Sequence, residues 1–279
     1  MKSILLLGAA GVGKTSLAEF IAAQEGGRLL YLLNHEWVTA EDYMLSIDIS
    51  AVARSFVGDK ESSKKIYTSG ILHKAIIRSH TEKIFILIDE LDKASERIDA
   101  LLLDFIQNCR INDEQGNLIY GNPENITLFI TSNQMRDIID PLSRRVLKVH
   151  LDFLPAEVEA SLLSNGTGEY HIDSARAFVR EYVSYEPMVY ENAKLQKLIV
   201  KIANYLRSHG LDISLYEMRQ FYLHIPMCRD KIDWLELLIR GWFIRNEEYE
   251  EALLDRFKSI KNIALAINDL YKESANEDN

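Results

Sequence analysis

The stretch Gly8-Ala9-Ala10-Gly11-Val12-Gly13-Lys14-Thr15 constrains this chain more than any other. It matches G-x-x-x-x-G-K-[ST] at every fixed position. Before it, Ile4 to Leu7 form a continuous apolar run, the pattern of a parallel strand buried on both faces. After it, Leu17, Ala18, Phe20, Ile21 and Ala22 recur at helical spacing. The motif therefore lies between a strand and a helix, where a phosphate-binding loop has to lie. Glycines allow backbone N–H groups to face an anion without Cβ atoms in the way, and the dipole of the following helix adds to the attraction. Gly8, Ala9, Ala10, Gly11, Val12, Gly13, Lys14, Thr15 and Ser16 are the candidate nucleotide-binding residues. Lys14 is placed to reach the β- and γ-phosphates, and the Thr15 hydroxyl to ligate Mg²⁺.

A phosphate loop alone implies a nucleotide, not its hydrolysis. A second apolar run, Ile84 to Ile88, ends in Asp89-Glu90. A carboxylate at the end of a buried strand beside the loop holds Mg²⁺ through its water shell, the part assigned to Asp89. A second carboxylate next to it orients an attacking water and accepts its proton, the part assigned to Glu90. Asn133 ends a third strand, Ile126–Ile130. Its amide either donates to a γ-phosphate or belongs to an ordinary turn. Arg144-Arg145 follows Pro141-Leu142-Ser143. Arginines there either stabilise charge on a transferring phosphoryl group, often from a neighbouring subunit, or form a surface pair.

The rest of the chain sorts into two units. Up to Leu151, strand patterns alternate with helical ones: strands at Leu29–Leu33, Ile84–Ile88, Ile126–Ile130 and Val146–Leu151, with helices around Ile71–Ile76 and Leu101–Ile106. Thr39 and Asp42 have the spacing of a capping box. The polar stretch Asn112–Asn125 reads as a hairpin about Gly116-Asn117, whereas residues 46–70 are irregular. From Pro155 onward only helical patterns follow, at 156–164, 173–184, 192–208, 215–225, 233–244 and 249–272. This order predicts an α/β domain with a parallel sheet over residues 1–153 and a helical domain over 154–279.

Net charge is −10, a poor basis for binding nucleic acid or an anionic membrane. The glutamates at 247, 248, 250 and 251 and the acidic tail read as a solvated helix face and a frayed end. No apolar stretch approaches the ~20 residues of a membrane span. Met1-Lys2 leads straight into the first strand, so no removable signal is expected. Cys109 and Cys228 have neither metal spacing nor a disulfide framework, which points to the cytosol.

Taken in order, the phosphate loop, Asp89-Glu90, Asn133, Arg144-Arg145 and a helical domain resemble an AAA+ ATPase over roughly residues 1–225. The likeness extends to the MoxR and dynein-related branch. Trp37-Val38-Thr39-Ala40-Glu41-Asp42 is similar to the segment leading into that branch's helix-2 insert, Tyr67–Leu72 to the segment after it, and 112–125 to the hairpin before the sensor-1 strand. The resemblance implies Walker A roles for Lys14 and Thr15, Walker B roles for Asp89 and Glu90, and sensor 1 for Asn133. It implies that Arg145 is the arginine finger, with Arg144 as the fallback because some relatives carry Ser-Arg there; the chain departs from the family in having Arg-Val in place of Arg-Phe. Ser214–Arg219 resembles the start of the sensor-2 helix, which makes Arg219 the sensor. The segment that helps enclose adenine in most relatives has no counterpart before Ser3, so adenine recognition is expected from elsewhere.

The expected protein is thus a Mg-dependent, ATP-driven remodelling motor of MoxR type. The resemblance implies a homo-oligomer, a hexameric ring, with ATP between core and lid and a protein or protein complex as target. Two other classes stay open. One is the motor of a nucleic-acid-acting, McrBC-type system, for which Lys60, Lys64 and Lys65 are candidate phosphate contacts. The other is a nucleotide switch that does not hydrolyse, against which the Asp89-Glu90 pair argues.

Overall fold

The computed structural model describes residues 1–48, 67–155 and 172–277, together with the single positions 52 and 158. Apart from position 158, the helical pattern at 156–164 falls outside the described residues, as do Lys60, Lys64 and Lys65 of the insert region. The chain divides into two compact units, Met1–Leu142 and Ser143–Asn279.

The first unit is an α/β layer. Its strands are β1 (Lys2–Leu7), β2 (Arg28–Leu33), β5 (Ile84–Asp89) and β8 (Ile126–Ser132), arranged β2-β5-β8-β1 and parallel throughout. The register pairs Leu5 with Ile130, Ile86 with Leu128 and Leu32 with Ile88. Every residue of β5 is buried, because it has a strand on either side and packed side chains on both faces. This is the reason its sequence is a continuous apolar run. By contrast β2 lies at the edge, and Tyr31 and Leu33 alternate outward from it. Phe85 and Phe129 stack across adjacent strands with centroids 6.4 Å apart.

Around these strands run α1 (Lys14–Gln24), α2 (Ala40–Tyr43), α3 (Ile71–Arg78) and α4 (Glu96–Asn108). The buried residues Leu17, Ala18, Ile21 and Ala22 of α1 follow the helical spacing of the sequence. At the start of α2 the Thr39 N–H donates to the Asp42 carboxylate at 2.8 Å, one half of the expected capping box. Two short antiparallel pairs complete the unit. One, β3 (Leu45–Ile47) with β4 (Tyr67–Ser69), was not legible in the irregular 46–70 stretch. The other, β6 (Arg110–Asn112) with β7 (Leu118–Tyr120), is the expected hairpin. Its turn is fixed by Asp113, whose Oδ1 accepts the N–H groups of Gln115 and Asn117, each at 2.8 Å.

In the second unit, β9 (Leu147–His150) is followed by helices alone among the described residues: α5 (Ser174–Ser184), α6 (Ala193–Ser208), α7 (Leu215–His224), α8 (Ile232–Phe243), α9 (Glu247–Arg256) and α10 (Ile260–Glu277). Gly241 lets α8 lie directly on β9: a Cβ there would fall 2.5 Å from Leu147 Cδ1 and 2.9 Å from the Lys148 carbonyl. Phe221 and Phe243, with ring centroids 4.7 Å apart, lie in the core between α7 and α8. Two helical patterns end differently from the expectation. The 215–225 pattern stops as α-helix at His224 and tightens into a 3₁₀ turn containing Pro226, which has no N–H to continue the ladder. The 249–272 pattern is two helices, because Phe257 is extended and the Ser259 hydroxyl accepts the Asn262 N–H to start the second. Among the described residues no helix is long and apolar enough to cross a membrane.

Parallel strands bring their carboxyl ends to one edge. Gly8 after β1, Asp89 ending β5 and Asn133 after β8 therefore emerge together, where ligands bind in open α/β sheets. The packing that holds this edge in place centres on β8. Phe129→Ala should cost about 3–5 kcal/mol of stability in urea unfolding, because Phe129 is fully buried. A loss below ~1 kcal/mol would contradict the central role given to β8.

Candidate functional site

The Asp89 side chain is the meeting point of the site. Thr15 Oγ1, at the start of α1, donates to its carboxylate from 3.0 and 3.1 Å to the two oxygens. Thr131 Oγ1 on β8 donates to Oδ1 at 2.6 Å, and the Tyr31 hydroxyl on β2 donates to Oδ2 at 3.1 Å. Three strands and the phosphate-loop helix thus converge on one carboxylate. The Asp89 main chain is also tied down: its carbonyl accepts both the N–H and the side-chain amide of Asn34, at 2.9 and 2.8 Å. Asn34 is buried and in turn accepts the Tyr43 hydroxyl at 2.6 Å. Burial, and then the charge of Asp89, push the Tyr31 phenol up to about 12.

Lys14 spends its three N–H donors on the Gly8 carbonyl, the Ala9 carbonyl and Asn133 Oδ1, at 2.8, 2.8 and 2.7 Å. Burial holds its ammonium below the usual lysine range, against the pull of Asp89, Asp92 and Glu90. Asn133 Nδ2 donates to Glu90 Oε1 at 3.1 Å, and Lys93 Nζ donates to Glu90 Oε2 at 2.6 Å. Glu90 itself has φ 54°, ψ 50°, a left-handed conformation uncommon for a residue with a side chain. Its N–H donates to Thr131 Oγ1 at 2.8 Å. One hydroxyl thereby holds both members of the Asp89-Glu90 pair.

A buried layer supports the Asn133 loop. Asp92 Oδ2 accepts the N–H groups of Asn133 and Met135, at 3.0 and 2.9 Å. Asp99 on α4 is fully buried and accepts a two-pronged bond from Arg136, at 2.6 and 2.8 Å. The same guanidinium donates to the carbonyls of Ala94 and Leu91, and the Ile139 N–H donates to Asp99. Sequence reasoning missed Thr131, Tyr31, Asn34, Asp92, Asp99 and Arg136. Only Asp92 left a local signal, an acid three residues after Asp89 in Asp89-Glu90-Leu91-Asp92.

The remaining candidates belong to the second unit. Arg144, before β9, pairs with Asp212 at 3.4 Å. Burial pushes the Tyr216 phenol up, and the charge of the half-buried Arg145 opposes that rise only in part. Arg219 is exposed on α7. That helix starts with a capping box, Ser214 with Glu217, and the buried Glu217 carboxylate pairs with Arg245 at 2.8 Å.

The residues fit a polyphosphate with a hydrated Mg²⁺. Gly8, Gly11 and Gly13 have φ of 140°, 88° and 87°, so the loop curls in a conformation closed to other residues. A Cβ at Gly11 would meet nothing within 4 Å, so it is the positive φ and not crowding that calls for glycine there. One hydroxyl and one carboxylate within hydrogen-bond distance are the protein donors a nucleotide-bound Mg²⁺ takes, the other ligands being phosphate and water. A cage of three or more acidic, histidine or cysteine ligands is absent among the described residues.

Comparison with known proteins agrees with this geometry. The family model described as AAA domain (Cdc48 subfamily) matches residues 1–164. Midasin of Dictyostelium discoideum is 29% identical over 163 residues, 55% of this chain and 2% of midasin. The chaperone protein ClpB of Enterococcus faecalis is 31% identical over 137 residues, 47% of this chain and 14% of ClpB. The Clp protease ATP-binding subunit ClpL of Staphylococcus aureus is 29% identical over 131 residues, 47% of this chain and 17% of ClpL. This chain therefore spans a small fraction of each of these relatives. A crystal structure of a Cytophaga hutchinsonii protein, provisionally assigned as an ATPase, superposes with a TM-score of 0.53 at 14% identity. That likeness covers 95% of this chain and 83% of the other, and it speaks to fold alone.

The support of the Asn133 loop is directly testable. Asp99→Ala leaves the Arg136 guanidinium without its carboxylate and should cost ~3 kcal/mol in urea unfolding, the scale for breaking a buried pair. A change within ~0.5 kcal/mol would show that this pair holds nothing in place.

Proposed function

This chain belongs to the AAA domain family, Cdc48 subfamily, and from that membership we propose that it is a Mg-dependent, ATP-hydrolysing motor that remodels or activates a protein or protein complex. The observation that carries this reading is the network joining Lys14, Thr15, Asp89, Glu90 and Asn133 at the carboxyl ends of parallel strands. In it, Lys14 and the N–H groups of Gly8–Ser16 bind the β- and γ-phosphates. Thr15 and Asp89 hold Mg²⁺, whose charge offsets that of the phosphates. Glu90 orients a water and takes its proton as the water oxygen bonds to the γ-phosphorus. The bond from that phosphorus to the bridging oxygen breaks, and its electron pair leaves with ADP. Asn133 is the amide that contacts the γ-phosphate.

The finer parts of the proposal concern assembly and target. Residues 1–153 are read as the nucleotide-binding domain and 154–279 as the lid with a C-terminal helical extension. The protein is read as a homo-oligomeric ring, hexameric in form. Arg145 serves as the finger toward a neighbouring subunit, Arg144 is its fallback, and Arg219 is the second sensor. The MoxR and dynein-related placement rests on Trp37–Asp42, Tyr67–Leu72 and the hairpin of β6 and β7. A protein target is supported by the chaperone named among the relatives. Cys109 and Cys228 are both unbridged and buried, as suits a cytosolic protein.

Glu90→Gln keeps the shape of the side chain and removes the basic carboxylate. It should bind Mg·ATP yet release phosphate at least ~100-fold more slowly, and near-normal turnover would remove Glu90 from the mechanism. With Mg·ATP the same variant should assemble into one large species in light scattering, because a finger from a neighbour links nucleotide to assembly. A monomer at every nucleotide state and concentration would argue against the ring. Arg145→Ala and Lys14→Ala, each inactive alone, should recover part of the activity when mixed. In the mixed ring an intact phosphate loop meets an intact finger. Exchange of subunits without any recovery would rule out Arg145 acting in trans.

A further inference from the structure

The network around Glu90 contains one residue to which the reading above gives no task. Both carboxylate oxygens of Glu90 are engaged, Oε1 by Asn133 Nδ2 at 3.1 Å and Oε2 by Lys93 Nζ at 2.6 Å. The orientation of the Asn133 amide follows from its partners. Lys14 is only a donor and must face the amide oxygen, and the Glu90 carboxylate is only an acceptor and must face the amide nitrogen. Asn133 is therefore a rigid two-ended link: one end on the phosphate-loop lysine, the other on the carboxylate read as the base. Lys93 is outside this link. It lies three residues after Glu90 in the 3₁₀ turn Leu91–Lys93, whose geometry is set by the Lys93 N–H donating to the Glu90 carbonyl at 2.9 Å.

We infer that Lys93 is a positioning residue that restrains Glu90. Lys93 and Asn133 clamp the two carboxylate oxygens, and the clamp loosens when Lys14 gives up Asn133 for a phosphate. Lys14 has three N–H donors and all three are spent on the protein, so a bond to a phosphate oxygen has to replace one of them. Two of the partners are main-chain carbonyls of the loop itself, and the third is the side chain of Asn133. Once that bond is given up, the amide is no longer fixed from the Lys14 end and its hold on Glu90 Oε1 weakens. The Lys93 bond on Oε2 then becomes the remaining restraint. A carboxylate held in a charge-assisted bond is less free to turn toward a water. Lys93 therefore slows hydrolysis in the nucleotide-bound state. Its side chain is 41% exposed, so replacing it leaves the core untouched.

This inference rests on Glu90 being the base, and its test separates the two claims. Phosphate release by the full chain is measured for wild type, Lys93→Ala, Lys93→Arg, Glu90→Gln and the double variant Glu90→Gln/Lys93→Ala. Lys93→Ala should raise kcat by about two- to fivefold with KM unchanged, the size expected for an exposed ion pair. Lys93→Arg, which keeps the charge and the donors, should stay near wild type. In the Glu90→Gln background, Lys93→Ala should have no effect, because the clamped group is no longer a carboxylate. The inference is overturned if Lys93→Ala leaves kcat unchanged or lowers it, or if the same gain persists with Glu90→Gln. Near-normal turnover of Glu90→Gln, or a wild-type chain that releases no phosphate, overturns the reading of the site itself, and the Lys93 inference with it.

Discussion

The structure depends on a single carboxylate. Asp89 accepts hydrogen bonds from Thr15 on the phosphate-loop helix, Thr131 on one neighbouring strand and Tyr31 on the other. A charged group that is only 7% exposed has to be compensated from several sides, and the fold supplies the donors by aligning the carboxyl ends of β1, β5 and β8. The parallel register is what makes this possible. A slip of one residue would turn the Thr131 side chain to the other face of the sheet and separate it from Asp89. Stability and site are therefore one requirement in this half of the chain: the apolar runs that drive the sheet together also bring Gly8, Asp89 and Asn133 to one edge.

What was legible in the sequence follows from this division of labour. The strand–loop–helix at residues 4–22, the buried strand before Asp89 and the hairpin at 112–125 could be read because each is local: an apolar run, a helical spacing, a glycine turn. Lys14, Asp89, Glu90 and Asn133 could be read because each sits next to such an element. Their partners could not. Thr131 and Tyr31, on strands, and Asn34, just after β2, are ordinary residues whose function comes from partners across the sheet, at separations of 42, 58 and 55 residues from Asp89. Asp99 and Arg136 find one another across 37 residues, with nothing in either neighbourhood to announce it. The break at Phe257–Ser259 escaped notice because apolar spacing carries across a single extended residue. The short pair of β3 and β4 escaped because its strands are half-exposed and too short for a period to show.

Glu90 shows how strain and function meet. A non-glycine residue with φ 54° carries a conformational cost, and here four hydrogen bonds hold it in place: its N–H on Thr131, its carbonyl on the Lys93 N–H, and its two carboxylate oxygens on Asn133 and Lys93. Such over-determination is expected where a side chain must be aimed rather than merely packed. The Asp92 carboxylate and the Asp99–Arg136 pair extend the same logic one layer outward, because they fix the loop from which Asn133 projects. The arginines of the second unit are arranged differently. Arg144 and Arg245 pair with acidic groups of that unit, and Arg219 is exposed on its helix.

The central claim is that the loop around Lys14 and the Thr15–Asp89 pair form a binding site for Mg·ATP. Titration calorimetry of the full chain with Mg·ATP, wild type against Lys14→Ala, tests it most directly. Wild type should bind saturably and Lys14→Ala should lose most of that binding, with the same thermal unfolding midpoint for both in the absence of nucleotide. Equal Mg·ATP affinity in the two proteins would contradict it.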